Sequence, residues 1–128
     1  MIQSCLITVN IDDARAIRSR SSLLDAALEV LANNPTASIS EIAERAGVGR
    51  ATLYRHFETR ENLVRALAQA CLERTDIALE PIQAQQLRGR EALETAIRLI
   101  MPLAQQFHFL LSLWSLAEHD PTVREIYD

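Results

Sequence analysis

Glycine and proline are scarce in this sequence, with three and four copies in 128 residues. Little material is therefore present for the tight turns that connect the strands of a β-sheet. Alanine, leucine, glutamate, arginine and glutamine dominate instead, and all five are good helix formers. We therefore expect an all-α protein.

Long apolar runs are also missing. The most apolar run, residues 109–117, contains two serines and is far shorter than the roughly 20 residues that cross a bilayer. The first twelve residues lack the positive start and the continuous apolar centre of a signal peptide. Cys5 and Cys71 are far apart and without metal-ligand spacing, which is typical of reduced thiols in a reducing compartment. These absences predict a soluble, cytoplasmic protein with no membrane partner.

The patterns of common enzymes and metal sites are absent as well. No glycine-rich phosphate loop, nucleophile elbow or His-Glu metal motif occurs. His108 and His119 have no carboxylate or thiol at ligand spacing, and Glu58 and Glu61 near His56 are better explained by helix ends. We therefore expect no enzymatic activity, no metal and no cofactor.

Lysine does not occur, so all 13 basic residues are arginines, against 17 carboxylates. The net charge of −4 and the pI of about 5.4 argue, taken alone, against a nucleic-acid-binding protein. The charge is unevenly distributed, however. Residues 14–65 contain eight arginines and six carboxylates, whereas residues 66–128 contain five and nine. The first part can therefore approach a polyanion, and the second part has another role.

The first part of the chain shows helical periodicity and helix-end signals. Apolar residues follow the i, i+3, i+4, i+7 spacing of an amphipathic helix at Leu24, Ala27, Leu28 and Leu31. The Asn-Asn-Pro run at 33–35 ends that helix. Ser38 and Glu41 form a capping box, which opens a short second helix, and Gly47 follows it where a positive φ is needed.

The segment GVGRATLYRHF, residues 47–57, predicts a third helix with two different sides. At 100° per residue, Leu53 and Phe57 point the same way, while Ala51 and Arg55 lie opposite. A short helix, a glycine-containing turn and a helix with small and hydrogen-bonding exposed residues form a helix-turn-helix. The small Ala51 would allow close approach to base edges.

The second part of the chain predicts further helices. Thr59 is the expected N-cap of a long fourth helix that runs to about Leu79, followed by a connector at 83–89. Two more helices are expected at 91–106 and 107–118, with a kink at Pro102. Asp120-Pro121 would open another helix.

Four segments in order resemble the DNA-binding domain of TetR-type transcriptional repressors: LDAAL (24–28), ISEIAERAGV (39–48), TLYRHF (52–57) and TRENL (59–63). The resemblance covers roughly residues 21–67. It implies contacts with the DNA backbone by Ser38, Thr52, Tyr54, His56 and Arg60. It implies positions near base edges for Ser40, Arg50, Ala51 and Arg55. Glycine at position 49, where family members often carry a serine, provides no side-chain cap.

The resemblance also implies an organisation and partners for the whole chain. Residues 1–13 form an N-terminal extension, residues 14–58 a three-helix DNA-binding domain, and residues 59–128 a linking fourth helix with an incomplete regulatory domain, because family members continue beyond this length. The expected partners are a palindromic double-stranded DNA operator, a small-molecule effector and a second copy of the chain. Phe107, Leu110 and Trp114 share a helix face and are the candidates for an effector pocket, with ordinary core packing as the alternative.

Two alternatives accompany this hypothesis. The chain could be a helical interaction module that keeps the helix-turn-helix shape without binding an operator. Arg15, Arg18 and Arg20 form either a short basic arm or part of an ordinary solvated helix face.

Overall fold

The computed structural model describes residues 11–119, and every regular element in that range is helical. The helices are α1 (Ile11–Asn33), α2 (Ile39–Ala46), α3 (Arg50–His56), α4 (Arg60–Ala84), α5 (Gly89–Ile100) and α6 (Ala104–His119), with a 3-10 turn at Met101–Leu103 before α6. The expectation of an all-α fold is confirmed. The proposed helix at Asp120-Pro121 lies outside the described residues.

The core forms around α1, which packs against α2, α4 and α6. The periodic leucines and alanine of α1 are all buried, as their spacing predicts. Other helices contribute to the same continuous cluster: Ile42 and Ala43 of α2, Leu53 of α3, Leu63, Val64, Leu67 and Cys71 of α4, and Phe109 and Leu113 of α6. Phe57, directly after α3, also belongs to it. Burial of this apolar surface is the main force that orients α2 and α3.

Local signals start and end the helices where the sequence predicts. Ser38 Oγ accepts a hydrogen bond from the amide of Glu41 at 3.2 Å, and a Glu41 carboxylate oxygen accepts one from the Ser38 amide at 2.6 Å. Gly47 ends α2 with φ of 72°. Thr59 Oγ1 accepts from the amide of Asn62 at 3.0 Å and caps α4. The glycine at 49 is the N-cap of α3 and makes no side-chain cap.

The fourth helix is longer than expected. It continues through Pro81 to Ala84 instead of ending near Leu79. Proline removes one helical N–H but leaves its own carbonyl, and Pro81 O accepts from the amide of Gln85 at 3.0 Å. The helix ends at Ala84, and Gln86, two residues further on, has a φ of 51°.

The break after α5 lies at Pro102, earlier than the expected boundary between 106 and 107. Proline lacks the N–H that would continue α5, so the chain makes a 3-10 turn there and then starts α6. α5 begins at Gly89, two residues before the expected start, and none of its side chains is buried. At Pro102 the structure thus has a 3-10 turn between two helices instead of a kink within one, and the expected helix bounds around it are wrong.

One further expectation needs correction. α1 is already helical at Ile11, so the division between residues 13 and 14 falls inside a helix. Among the described residues, the stretch Gly89–Ser115 is long and apolar enough to cross a membrane by length and composition alone, a test that the core helix of a soluble protein also passes. The 3-10 turn at Met101–Leu103 divides this stretch into α5 and α6. The α6 part contributes Phe109 and Leu113 to the core.

Candidate nucleic-acid interface

The orientation of α3 is set by two side chains of its own sequence. Leu53 is fully buried and Phe57, directly after the helix, is 4% exposed. Because α3 has only about two turns, burying these residues turns the opposite side to solvent. Ala51 and Arg55 are exposed there, and Tyr54 is 46% exposed. The predicted division into a core side and an exposed side is confirmed.

The exposed side of α3 presents hydrogen-bonding and positively charged groups. Arg50 and Arg55 are exposed, and the half-buried Thr52 and His56 flank them. The ion pairs within the described range join Arg45 to Glu29, Arg74 to Asp25 and Arg90 to Glu94. None of those pairs includes Arg50 or Arg55, so their charges are not neutralised in this way. This surface therefore suits a polyanion despite the negative net charge of the chain.

The two serines predicted for the interface lie at the start of α2. Ser38 is exposed, and its oxygen is occupied as an acceptor in the capping box. Ser40 is half-buried. The hydroxyl proton of Ser38 can still be donated to an acceptor, so capping and a phosphate contact are compatible. Contact of either serine with DNA stays a prediction.

Arg60 is the predicted interface residue whose surroundings differ most from expectation. Its side chain is half-buried, and its Nη2 donates to Pro35 O and to Ala37 O, each at 2.9 Å. These carbonyls belong to the loop before α2. The phosphate contact implied by the resemblance stays untested, but this nitrogen already has two protein partners.

A groove of about 580 Å³ lies between α1 and the exposed side of α3. It is lined by Arg15, Ser19, Ser22 and Leu23 of α1, by Ala46 and Val48, and by Thr52, Arg55 and His56. Arg15 therefore lies beside the interface, as the basic-arm hypothesis requires, whereas Arg20 packs on Phe57. The contribution of Ser19 and Ser22 to this groove was missed, because no local pattern connects α1 with α3.

A second, mostly apolar groove of about 530 Å³ lies between α4 and α6. All three sequence-predicted pocket residues line it, Phe107, Leu110 and Trp114. Leu111 joins them, and the opposite wall consists of Arg65, Ala68, Gln69 and Leu72 of α4. The α4 wall was not predicted, since periodicity shows which residues share a helix face but not which helix faces it. The role of this groove stays a prediction.

The fold and the interface define a class of protein. A capped short helix, a turn at a positive-φ glycine and a second helix with a buried Leu53 and exposed arginines are the parts of a helix-turn-helix. In such domains the second helix enters the major groove of DNA.

Comparison with known proteins agrees with this class. Residues 23–67 match the family of bacterial regulatory proteins called the tetR family. The chain is 42% identical over 82 residues to the HTH-type transcriptional repressor LfrR of Mycolicibacterium smegmatis, which aligns 59% of this chain with 43% of that protein. It is 38% identical over 78 residues to the HTH-type transcriptional regulator NfxB of Pseudomonas aeruginosa, aligning 61% of this chain with 40% of that protein.

The structure is similar to a crystal structure of the TetR-like transcriptional regulator LfrR from Mycobacterium smegmatis in complex with proflavine. The TM-score is 0.64 at 31% identity, over 87% of this chain and 64% of the other. Residues 23–67 are therefore similar to the tetR family of bacterial regulatory proteins, and the fold is similar to that of a TetR-like regulator. The chain spans less than half the length of LfrR and of NfxB, and both of these relatives are regulators of transcription.

Proposed function

We propose that the chain is a cytoplasmic transcriptional repressor that binds double-stranded DNA through α3. The observation that carries this proposal is the pair of exposed arginines, Arg50 and Arg55, on a helix whose other side is held by Leu53. Arginine suits both phosphate contact and bidentate contact with guanine in the major groove. Thr52, Tyr54 and His56 add hydrogen-bonding groups at the edges of the same surface.

The proposed mode of action is occupancy of a palindromic operator by a homodimer. One α3 reads a single half-site, and a two-fold symmetric pair of these helices about 34–36 Å apart reads both. Repression follows because a bound dimer blocks the DNA that it covers.

DNA binding is tested by fluorescence anisotropy with duplexes from a randomised library, first at low salt, where phosphate contacts are strongest. We expect the wild-type chain to enrich a preferred duplex. The double variant Arg50→Ala with Arg55→Ala should lose binding, whereas Arg98→Ala, an exposed arginine of α5, should not. If the wild-type chain binds no duplex at low salt, the repressor proposal fails and the interaction-module alternative gains support.

The repressor is further proposed to respond to a small apolar or amphipathic effector in the groove between α4 and α6. This groove combines a tryptophan and a phenylalanine with leucines from two helices, and ligand sites are generally lined in this way. Because α4 also follows directly on the interface helices, a ligand against α4 can alter the placement of α3. The LfrR structure with proflavine shows that a family relative takes up an aromatic compound.

Trp114 is the only tryptophan of the chain and reports on this groove directly. Titration with proflavine, without DNA, is expected to quench its fluorescence in a saturable way. Leu72→Gln should weaken the quenching, while Leu93→Gln, on the exposed surface of α5, should leave it unchanged. Equal quenching in both variants would remove the groove from consideration.

A further inference from the structure

The loop between α1 and α2 has an unusual division of hydrogen bonds. Its amides donate to acceptors at most three residues away in the sequence. Ala37 N donates to Asn34 O at 3.0 Å, and Thr36 N donates to Asn34 Oδ1 at 3.3 Å. Ser38 N donates to the Glu41 carboxylate. The carbonyls of Pro35 and Ala37 have a partner that is distant in sequence. Both instead accept from Arg60, which is 25 and 23 residues further along the chain.

Arg60 is the first residue of α4, directly after the N-cap Thr59. Its guanidinium therefore connects the first turn of α4 to the loop that immediately precedes Ser38, the N-cap of α2. Both bonds are charge-assisted and half-buried, and a charged donor is stronger than a neutral one. This contact holds the start of α2, and through the short turn at Gly47 also α3, in a defined place against α4.

We propose that Arg60 is a positioning residue of the DNA-reading unit, because its Nη2 holds the loop before α2. The proposal rests on the proposed DNA-binding function and deepens it. Nη2 donates to both carbonyls, so removal of the Arg60 guanidinium would take this donor from both of them. Arg60 therefore acts on DNA through the placement of α2 and α3.

The salt dependence of binding separates the two roles. A lost phosphate contact lowers the slope of log affinity against log salt by about one for each contact and weakens all duplexes alike. If α3 is misplaced, the other arginines still neutralise phosphates, but α3 loses its contacts with the bases. Arg60→Gln is therefore expected to weaken the preferred duplex by on the order of tenfold, with a smaller loss on a scrambled duplex and an unchanged slope.

Two further variants complete the comparison. Arg98→Gln removes the same charge from an exposed position of α5 and should leave the preference for the selected duplex intact. Arg60→Lys keeps the charge but loses the planar fork, so a phosphate role predicts full binding, whereas a positioning role predicts a partial loss at unchanged slope. The Lys variant also keeps the test informative if Arg60→Gln fails to fold.

Amide hydrogen exchange tests the contact without DNA. The amides of Ala37 and Ile42, both hydrogen-bonded beside the contact, should exchange faster in Arg60→Gln than in Arg98→Gln. Unchanged exchange at these amides, or an equal loss on both duplexes with a lower salt slope, would overturn the proposal. If the wild-type chain binds no DNA, the repressor function fails, while the exchange result still decides whether Arg60 positions α2.

Discussion

The guanidinium of Arg20 lies over the ring of Phe57, with its central carbon 4.5 Å from the ring centroid. Its Nη1 also donates to the carbonyl of His56 at 3.4 Å. α1 thus places a positive charge at the C-terminal end of α3, where the helix dipole favours a cation, and covers the ring that fixes the helix. Arg20, for which the sequence left a basic arm and a solvated helix face open, is a packing partner of the reading helix.

Replacing Arg20 by alanine should lower the free energy of unfolding by about 0.5–1 kcal/mol, since a cation–π contact at an exposed site is lost. Urea unfolding measures this change. Arg15→Ala, on the same helix but away from the ring, is the control and should change stability little. Equal effects of the two variants would show that the Phe57 contact contributes nothing.

Leu53→Ala should lower the free energy of unfolding by about 2–5 kcal/mol, because it leaves a cavity at a fully buried position. Loss of DNA binding would follow from loss of the fold. Tyr54→Ala, on the neighbouring exposed position, should remain within about 0.5 kcal/mol of wild type. A Leu53→Ala variant with normal thermal stability would contradict the orientation of α3 described above.

The ends of α2 and α4 have the same hydrogen-bond pattern but different residues at the left-handed position. Val48 N donates to Ala43 O after α2, and Leu87 N to Ile82 O after α4, each at 3.0 Å. Gly47 has φ of 72° and Gln86 has φ of 51°. Only glycine adopts this region without steric cost.

Two substitutions at these ends should therefore change stability in opposite directions. Gly47→Ala should destabilise the protein by about 1 kcal/mol, although an added Cβ would meet no atom within 4 Å, because the cost lies in the backbone. Gln86→Gly should stabilise it by about 1 kcal/mol. Thermal unfolding of both variants beside wild type is the measurement, and shifts of the same sign would refute the explanation.

Base reading is expected of Arg55, which projects from the exposed side of α3. A bidentate contact of arginine with guanine contributes about 1–3 kcal/mol of discrimination. Arg55→Ala should therefore weaken the preferred duplex more than a scrambled one in titrations at several salt concentrations. Equal weakening of both would assign Arg55 to the phosphates and leave Arg50 and Ser40 as candidate base readers.

Cys71 should make stability depend on pH in alkaline solution. Burial raises the pKa of its thiol, and the positive charge of Arg74 opposes part of that shift. The folded chain thus holds the proton more tightly than the unfolded chain. The stabilisation that comes from the protonated thiol is fully present below the ordinary thiol pKa of about 8.5. It is lost as the pH rises from there toward the pKa of the folded chain.

The measurement compares wild type with Cys71→Ala by urea unfolding between pH 7 and pH 10, roughly the range in which a thiol titrates. At pH 7 the alanine variant should have the lower free energy of unfolding, because the substitution leaves a cavity. Above about pH 8.5 the difference in free energy of unfolding between the two proteins should decrease, by at most about 1.4 kcal/mol per pH unit. If the difference in free energy of unfolding between the two proteins stays constant, the thiol has the same pKa in the folded and the unfolded chain.

The sequence alone determined the features that arise within a few residues of chain. The capping box of Ser38 and Glu41, the glycine turn at 47 and the Thr59 cap depend on neighbours three or four positions away. The burial of Leu53 and Phe57 on one side of α3 follows from helical periodicity in the same way. These local rules were enough to identify the helix-turn-helix and the surface that it exposes.

Only the tertiary structure decided which distant groups meet. Arg60 and Arg20 both looked like residues for DNA, yet their partners lie 25 and 36 residues away and are backbone carbonyls. The α4 wall of the apolar groove and the passage of α4 through Pro81 also depend on how helices pack. A charged side chain is stable either in solvent or beside an acceptor that lacks another partner. The packing of the apolar core determines where those acceptors lie, and the residues around the arginine in the sequence do not.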